Sequence, residues 1–581
     1  LEFTLYFGSN LLLGNLLRKK LNESFNGVYE LEFNRVHLSL IRRGIIFDGI
    51  VMQPIHLEKA GSEQVLFELT LDELSFTGLW YGLQNQKLYV REVRLDRPNF
   101  RVVASPSHSV SQQDKAPQRK VRSPVALLEN ELRKSIKNLP LAGIHVGRVL
   151  VNQAQVFFLN FLSQQELLAK EASFTALDLN WTPNQPWETP FNARGFEFEL
   201  EGVTYALPDG IHQISSKKVF ISSLEETIEL QEFKLVPDLS QASSTYYSLA
   251  LAKLQLRQVD LNEAFRSAKL DLEELILVEP QIEVIQSSFP AASSQVSGDL
   301  HAFIRGKLNQ LTIKEFAIQK GSFLKKDKED SLRNRIQLDD LDLKMVNFYL
   351  GQDSLRREQQ FFYGSDASLA IAHAVLFLGD GIHSVEGENL EASTFKNELN
   401  GTKIKLMPRD LSSLNAINQP SYQLDLAEFT FGKVDLKKWY SKGELEIETL
   451  FLKKPQLLIR ETNSFHSNSE NTSFIPLLNG IVNRVAIQSF KIEEGTLVLN
   501  EESGVKSTDL DLGKFSLALE KLQLEPKKEA SSIQQQLQFA EVLLTLYDYR
   551  LKLRDNLHEF LAEELSIDSK SEWLEIKNLR I

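Results

Sequence analysis

The sequence predicts a mainly β protein: an elongated, twisted, repeating sheet with a few short helices. Three observations predict it. Apolar and charged residues alternate with period two through most of the chain, as in FELTLDELSF (67–76), the mark of a strand with one dry face and one wet face. One fifteen-residue pattern recurs six times at a regular spacing. Only about four stretches carry helical spacing, too few to cover so much apolar sheet.

The fifteen-residue pattern is apolar at positions 1, 3, 6 and 8, small or Pro at 11, and apolar again at 13 and 15. Its Pro form reads LYVREVRLDRPNFRV (88–102), LDLEELILVEPQIEV (270–284) and LEIETLFLKKPQLLI (445–459). Its Gly/Ala form reads IHVGRVLVNQAQVFF (144–158), LTIKEFAIQKGSFLK (311–325) and VAIQSFKIEEGTLVL (485–499). Lys325 is the one misfit at an apolar position. The two forms alternate, so the chain is one array of units with a period of about 175 residues. YSLALAKLQLRQVDL (247–261) and YQLDLAEFTFGKVDL (422–436) keep the same period, as do LPDGIHQI (207–214) and LGDGIHSV (378–385).

The step from position 3 to position 6 breaks parity, which predicts a bulge at 4 and 5. Pro or Gly at 11 predicts a turn or a second kink. A polar gap rich in Ser, Asn and Gln follows each Pro form and reads as loop. Short helices are expected after the gaps, at 125–139, 299–310 and 474–484, and another at 10–26. Expected segments are a membrane-proximal amphipathic helix (1–27), a partial N-terminal β segment (28–103) and units at 104–285, 286–460 and 461–581, the last truncated.

Composition excludes several classes. The chain has 581 residues, a net charge of −13 and no Cys. An acidic balance does not suit nucleic acid, whose phosphates need a basic stripe. Without Cys there is no disulfide, thiolate metal site or Cys nucleophile. No apolar run reaches the roughly 18 residues of a membrane helix. The chain begins with Leu and ends within a strand-like alternation, so an anchor or signal is expected outside it.

The pattern alone leaves two architectures open. The dry face is buried in an ordinary core, as in sandwiches or a solenoid, or it stays open as an apolar groove. The N-terminal block GNLLRKKLNESFNGVYELEFNRVHLSLIRRGIIFDGIVMQP (14–54) resembles the start of the AsmA-like family of bacterial envelope proteins. The six repeated blocks resemble that family too. The chain departs from the family pattern in lacking a visible anchor and in its polar insertions at 104–123 and 461–473.

The resemblance implies a taco-like β-groove in a periplasmic protein of a diderm bacterium, anchored to the inner membrane from outside this chain. It implies a non-enzymatic protein that binds phospholipid by its acyl chains, meets a membrane at its N-terminal end and needs no cofactor. The groove candidates are Val90, Val93, Leu95, Leu272, Leu275, Leu277, Phe316, Ile318, Ile447, Leu450, Leu452, Phe490 and Ile492. The alternative function is a scaffold for outer-membrane or secretion machinery with a filled core.

Catalytic signals are weak. Asp209 with His212, and Asp380 with His383, form the most tempting pair. Asp-Gly is a strong hairpin signal, however, and Asp548, Tyr549 and Arg550 align with the motif in the third unit without the His. A structural role is expected. Asp339–Asp340 and Glu493–Glu494 are expected in solvated turns or strand edges. No metal-ligand spacing, nucleophile elbow, P-loop or dinucleotide fingerprint is present.

Overall fold

The computed structural model describes residues 29–54, 63–106, 141–160, 165–182, 189, 192–207, 209–241, 243, 245–286, 309–328, 335–351, 363–378, 383–408, 421–462, 483–503, 506–524, 537–552 and 559–580. Among the described residues there is one mixed sheet of 28 strands and there are two seven-residue helices. The expected helices at 10–26 and 125–139 lie outside the described residues. So do those at 299–310 and 474–484, apart from their last two residues.

The chain enters through β1 (Tyr29–Ser39), β2 (Gly44–Pro54) and β3 (Glu63–Thr77). The first unit is β4 (Trp80–Gly82), β5 (Lys87–Asp96), β6 (Asn99–Pro106), β7 (Gly143–Asn160), β8 (Gln165–Trp181), β9 (Gly195–Ala206), β10 (His212–Ser222), β11 (Thr227–Pro237) and β12 (Thr245–Arg257). The second is α1 (Leu261–Ser267), β13 (Lys269–Val278), β14 (Gln281–Gln286), β15 (Gln310–Asp327), β16 (Ile336–Gly351), β17 (Asp366–Phe377), β18 (His383–Ser393), β19 (Glu398–Pro408) and β20 (Ser421–Val434). The third is α2 (Leu436–Lys442), β21 (Glu444–Lys453), β22 (Gln456–Thr462), β23 (Arg484–Ser503), β24 (Lys506–Leu524), β25 (Leu537–Gln538), β26 (Glu541–Lys552), β27 (Glu559–Asp568) and β28 (Trp573–Lys577).

Each unit repeats one topology. A Pro-form copy makes two short strands, and the next Gly/Ala copy makes one long strand parallel to both. The remaining pairings are antiparallel, so the sheet is otherwise a meander. Parallel neighbours need the chain to travel back along the sheet before it can pair. The polar gaps fall in these three returns, which accounts for their position in every unit.

The repeated pattern folds as two kinks. Position 4 is skipped in the ladder in all three parallel pairs, as the parity break predicts: Val90 pairs Val146 and Glu92 pairs Arg148, leaving Arg91 and Gly147 out. Position 10 has positive φ in all six copies: Arg97, Gln153, Glu279, Lys320, Lys454 and Glu494, at 50–52°. Position 11 is buried in all six: Pro98, Ala154, Pro280, Gly321, Pro455 and Gly495.

Pro is tolerated at position 11 for a specific reason. The residue before it gives its N–H to the neighbouring strand, and the Pro carbonyl accepts the next N–H. Glu279 N donates to Gln319 O at 2.8 Å and Ser322 N to Pro280 O at 2.7 Å. The same two bonds recur at Pro98 and Pro455. The one backbone donor that Pro lacks is the one the ladder skips here.

The position-10 kinks continue through the strands between the repeats. Positive φ recurs at Gly49, Gly202, Glu232, Asp340, Asn389, Lys403, Gly513 and Asp548. The ladder skips these residues, as where Asp339 pairs His373 and Leu341 pairs Ile371. They line up as one seam from β2 to β26. A bulge bends its strand, so bends in register crease the whole sheet along a single line. Asp340 and Glu494 thus lie at kinks inside long strands rather than in turns. Asp548 is likewise a kink within β26, so its alignment with the Asp-Gly turn of the earlier units is corrected.

The helices α1 and α2 are not anticipated from the sequence. Each is opened by an Asp whose carboxylate accepts a backbone N–H three residues on, Asp260 from Glu263 and Asp435 from Lys438, both at 2.8 Å. Each is closed by a residue in left-handed conformation, Ala268 or Gly443. Val259 and Val434, just before the helices, are almost completely buried.

Candidate apolar groove

Cross-strand registers show that the dry face is continuous. Starting at position 8 of the first unit, a row runs Leu95, Val151, Phe174, Phe198, Ile221, Ile228, Leu256 and Leu275. Leu275 is position 6 of the second unit. A second row starts at Leu277, position 8, and runs Ile318, Leu343, Leu369, Ala392, Leu399, Phe431 and Leu450. It arrives at position 6 of the third unit and continues to Phe490 and Leu519. Each row drifts two residues per unit, about 7 Å at the rise of a strand.

A matching wall lies across the seam. Its row runs Val102, Phe158, Leu167, Tyr205, Ile214, Leu235, Leu249, Ile282 and Phe323. A later row runs Leu376, Val385, Leu406, Leu424, Leu457 and Leu497. Two apolar walls therefore flank a crease floored by Pro, Ala and Gly. The side chains at the kinks are exposed and carry ion pairs on the wet face, as Lys454 with Glu494 at 3.4 Å and Lys217 with Glu232 at 2.6 Å.

The candidate residues divide into three groups. Val90, Leu272 and Ile447, all at position 3, are buried at 4% exposure inside packed clusters with Val146, Ile313 and Ile487. Val93, Leu275, Phe316, Leu450 and Phe490, at position 6, lean against those clusters. Leu95, Leu277, Leu452 and Ile492, at position 8, are half-buried and belong to none of the four clusters. Ile318, also at position 8, is buried outside the clusters, so close to Gly321 that a Cβ there would lie 2.8 Å from its Cγ2.

The clusters close one end of each unit. Leu261 of α1 packs against the clusters of both the first and the second unit. Leu436 and Trp439 of α2 close the third. No second sheet covers the position-8 rows among the described residues. Sequence reasoning missed the far wall and the αL seam. The wall was visible as apolar positions 13 and 15. The seam was not, because half of its residues are Glu, Lys or Arg, which ordinarily avoid positive φ.

The Asp–His motif builds a strand junction. His212 donates from Nδ1 to the Asp209 carboxylate at 2.6 Å, and its Nε2 accepts the Tyr247 N–H at 3.2 Å. His383, buried at 2%, accepts the Tyr422 N–H at 3.1 Å in the same way. Partial burial acts to raise the Asp209 pKa. The N–H groups of His212 and Ile211 and the His212 ring outweigh it and hold the carboxyl below its ordinary 3.8. Both nitrogens of the His212 ring are engaged, tying the turn before β10 to β12, two strands away. Among the described residues no cluster of acids and His could hold a metal, and no helix is long and apolar enough to cross a membrane. No protein-family model matches the chain, and no curated protein matches it.

Proposed function

We propose that the chain binds phospholipid acyl chains between its two apolar walls and lets them move along the crease without catalysis. One observation carries this reading: rows of mostly half-buried apolar side chains run unbroken from unit to unit with no second sheet over them among the described residues. A lipid leaving a bilayer loses roughly 0.8 kcal/mol for each CH₂ brought into water. A continuous apolar track removes most of that cost while head groups stay wet. The likeness to AsmA-like envelope proteins supports the same reading and extends it to transport between the membranes of a diderm envelope, with this chain in the periplasm.

The packed clusters at position 3 favour a second reading, a filled scaffold with no cargo. The two readings differ at position 8. Native mass spectrometry of purified protein should find bound phospholipid. Leu277→Asp and Leu452→Asp should keep the β circular dichroism spectrum and lower bound lipid at least tenfold. Lipid-free monodisperse protein would overturn the transport reading. Global unfolding by the Asp variants would favour the filled core, because an unpaired buried charge is costly.

A further inference from the structure

The turn of residues 40–43, between β1 and β2, and residues 78–86, from β3 to β5, make a single surface. Gly78 N donates to Arg42 O at 3.0 Å, and Leu79 N to Arg43 O at 2.9 Å. Ile41 and Leu83 on this surface are each 84% exposed, the highest values among the large apolar side chains described. Trp80, in the same segment, is 63% exposed, with its ring against Tyr89 at 5.1 Å between centroids. Turn tips are ordinarily polar, and nothing in folding favours leaving two aliphatic side chains and an indole this exposed.

Charge points to the same conclusion independently. Residues 38–47 and 75–91 contain no Asp or Glu, whereas Arg42, Arg43, Lys87 and Arg91 make the surface strongly cationic. The whole chain carries −13. Turns at the same end of the sheet in later strands differ. Residues 223–226 read SLEE, 394–397 read TFKN and 569–572 read SKSE. Each has one apolar residue at most, and two of them carry acids. Aliphatic tips, an interfacial Trp and clustered Arg without acids are the composition of a membrane-binding surface.

We infer that this surface docks the first strands onto an anionic bilayer. Ile41, Leu83 and Trp80 enter the head-group region while Arg42, Arg43 and Lys87 pair with phosphates. This goes beyond the groove reading and does not depend on what the groove holds.

The absence of Cys makes the test direct. Leu83→Cys, Ile41→Cys and, as a distant control on β28, Leu574→Cys are each labelled with an environment-sensitive fluorophore. The labelled proteins are mixed with vesicles of phosphatidylcholine alone or with one part phosphatidylglycerol to two of phosphatidylcholine. The inference expects a blue shift and a severalfold intensity rise at positions 83 and 41 with the anionic vesicles only, and none at 574. R42E combined with R43E should weaken vesicle binding at least tenfold in flotation. No response at 83 and 41, an equal response with neutral vesicles, or an equal response at 574 would overturn it. Because these side chains are exposed, unchanged circular dichroism is expected for every variant.

Discussion

Positions 3 and 8 of the repeated motif are five residues apart on one strand and face. Both are Val, Leu or Ile in every Pro-form copy. Val90, Leu272 and Ile447 are nonetheless sealed in packed clusters, while Leu95, Leu277 and Leu452 stay half-buried and outside them. The difference comes from what lies above them. At position 3 of the second and third units a short helix closes over the face. At position 8 no helix or second sheet among the described residues lies over the face. Hydrophobicity fixes which face is dry, whereas a covering element decides whether that face becomes core or stays open.

The strongest way to break this contrast is at the closed end. Val434→Asp puts a charge where exposure is 0%. It should cost on the order of 4–5 kcal/mol or more and abolish the cooperative urea transition. Leu277→Asp on the open row should leave that transition in place, and comparing the two midpoints checks the distinction.

The crease comes next in size. A Cβ at Gly495 would lie 2.6 Å from Phe515 Cζ and 2.9 Å from Ile492 Cγ2. Gly495→Ala should destabilise by about 1–3 kcal/mol through overpacking, read as a lower unfolding midpoint. Little or no change would mean that the crease has room.

The helix caps sharpen the comparison more finely. Asp260→Ala removes the carboxylate that holds the first turn of α1, at a cost of about 0.5–2 kcal/mol. It should raise amide exchange in α1 more than in β16.

The smallest effect is pH-dependent. The folded Asp209 carboxyl lies below its ordinary 3.8. Its contribution is therefore present above that value and lost as pH falls through the folded pKa. The stability gap between the protein and Asp209→Asn should be open at pH 7 and close under strong acid. A gap that persists there would show that Asp209 acts through something other than its charge.

Much of this architecture was legible from the chain. The mainly β class, the repeat and the alternation of its two forms follow from side-chain periodicity, because one-faced strands must alternate and equivalent strands must match. The bulge at position 4 was legible as a break in parity. The helices were not. LNEAFRS and LKKWYSK span under two turns, too short for helical period to show against a strand background. The seam escaped for a different reason. Left-handed backbone at Glu279, Lys320, Lys454 and Glu494 costs about 1–2 kcal/mol each for an L-residue, and no propensity announces it. It is imposed by neighbouring strands that must bend together.

The sequence by itself thus determined which residues face the dry side and how often the unit recurs. The tertiary structure decided where the sheet folds, which parts of the dry face are closed over and which rows lie on either side of the crease. Face is a local property of alternation along one strand. Crease and closure arise only when kinks on many strands fall into register and a helix from the chain's next segment lands over the position-3 end of the face.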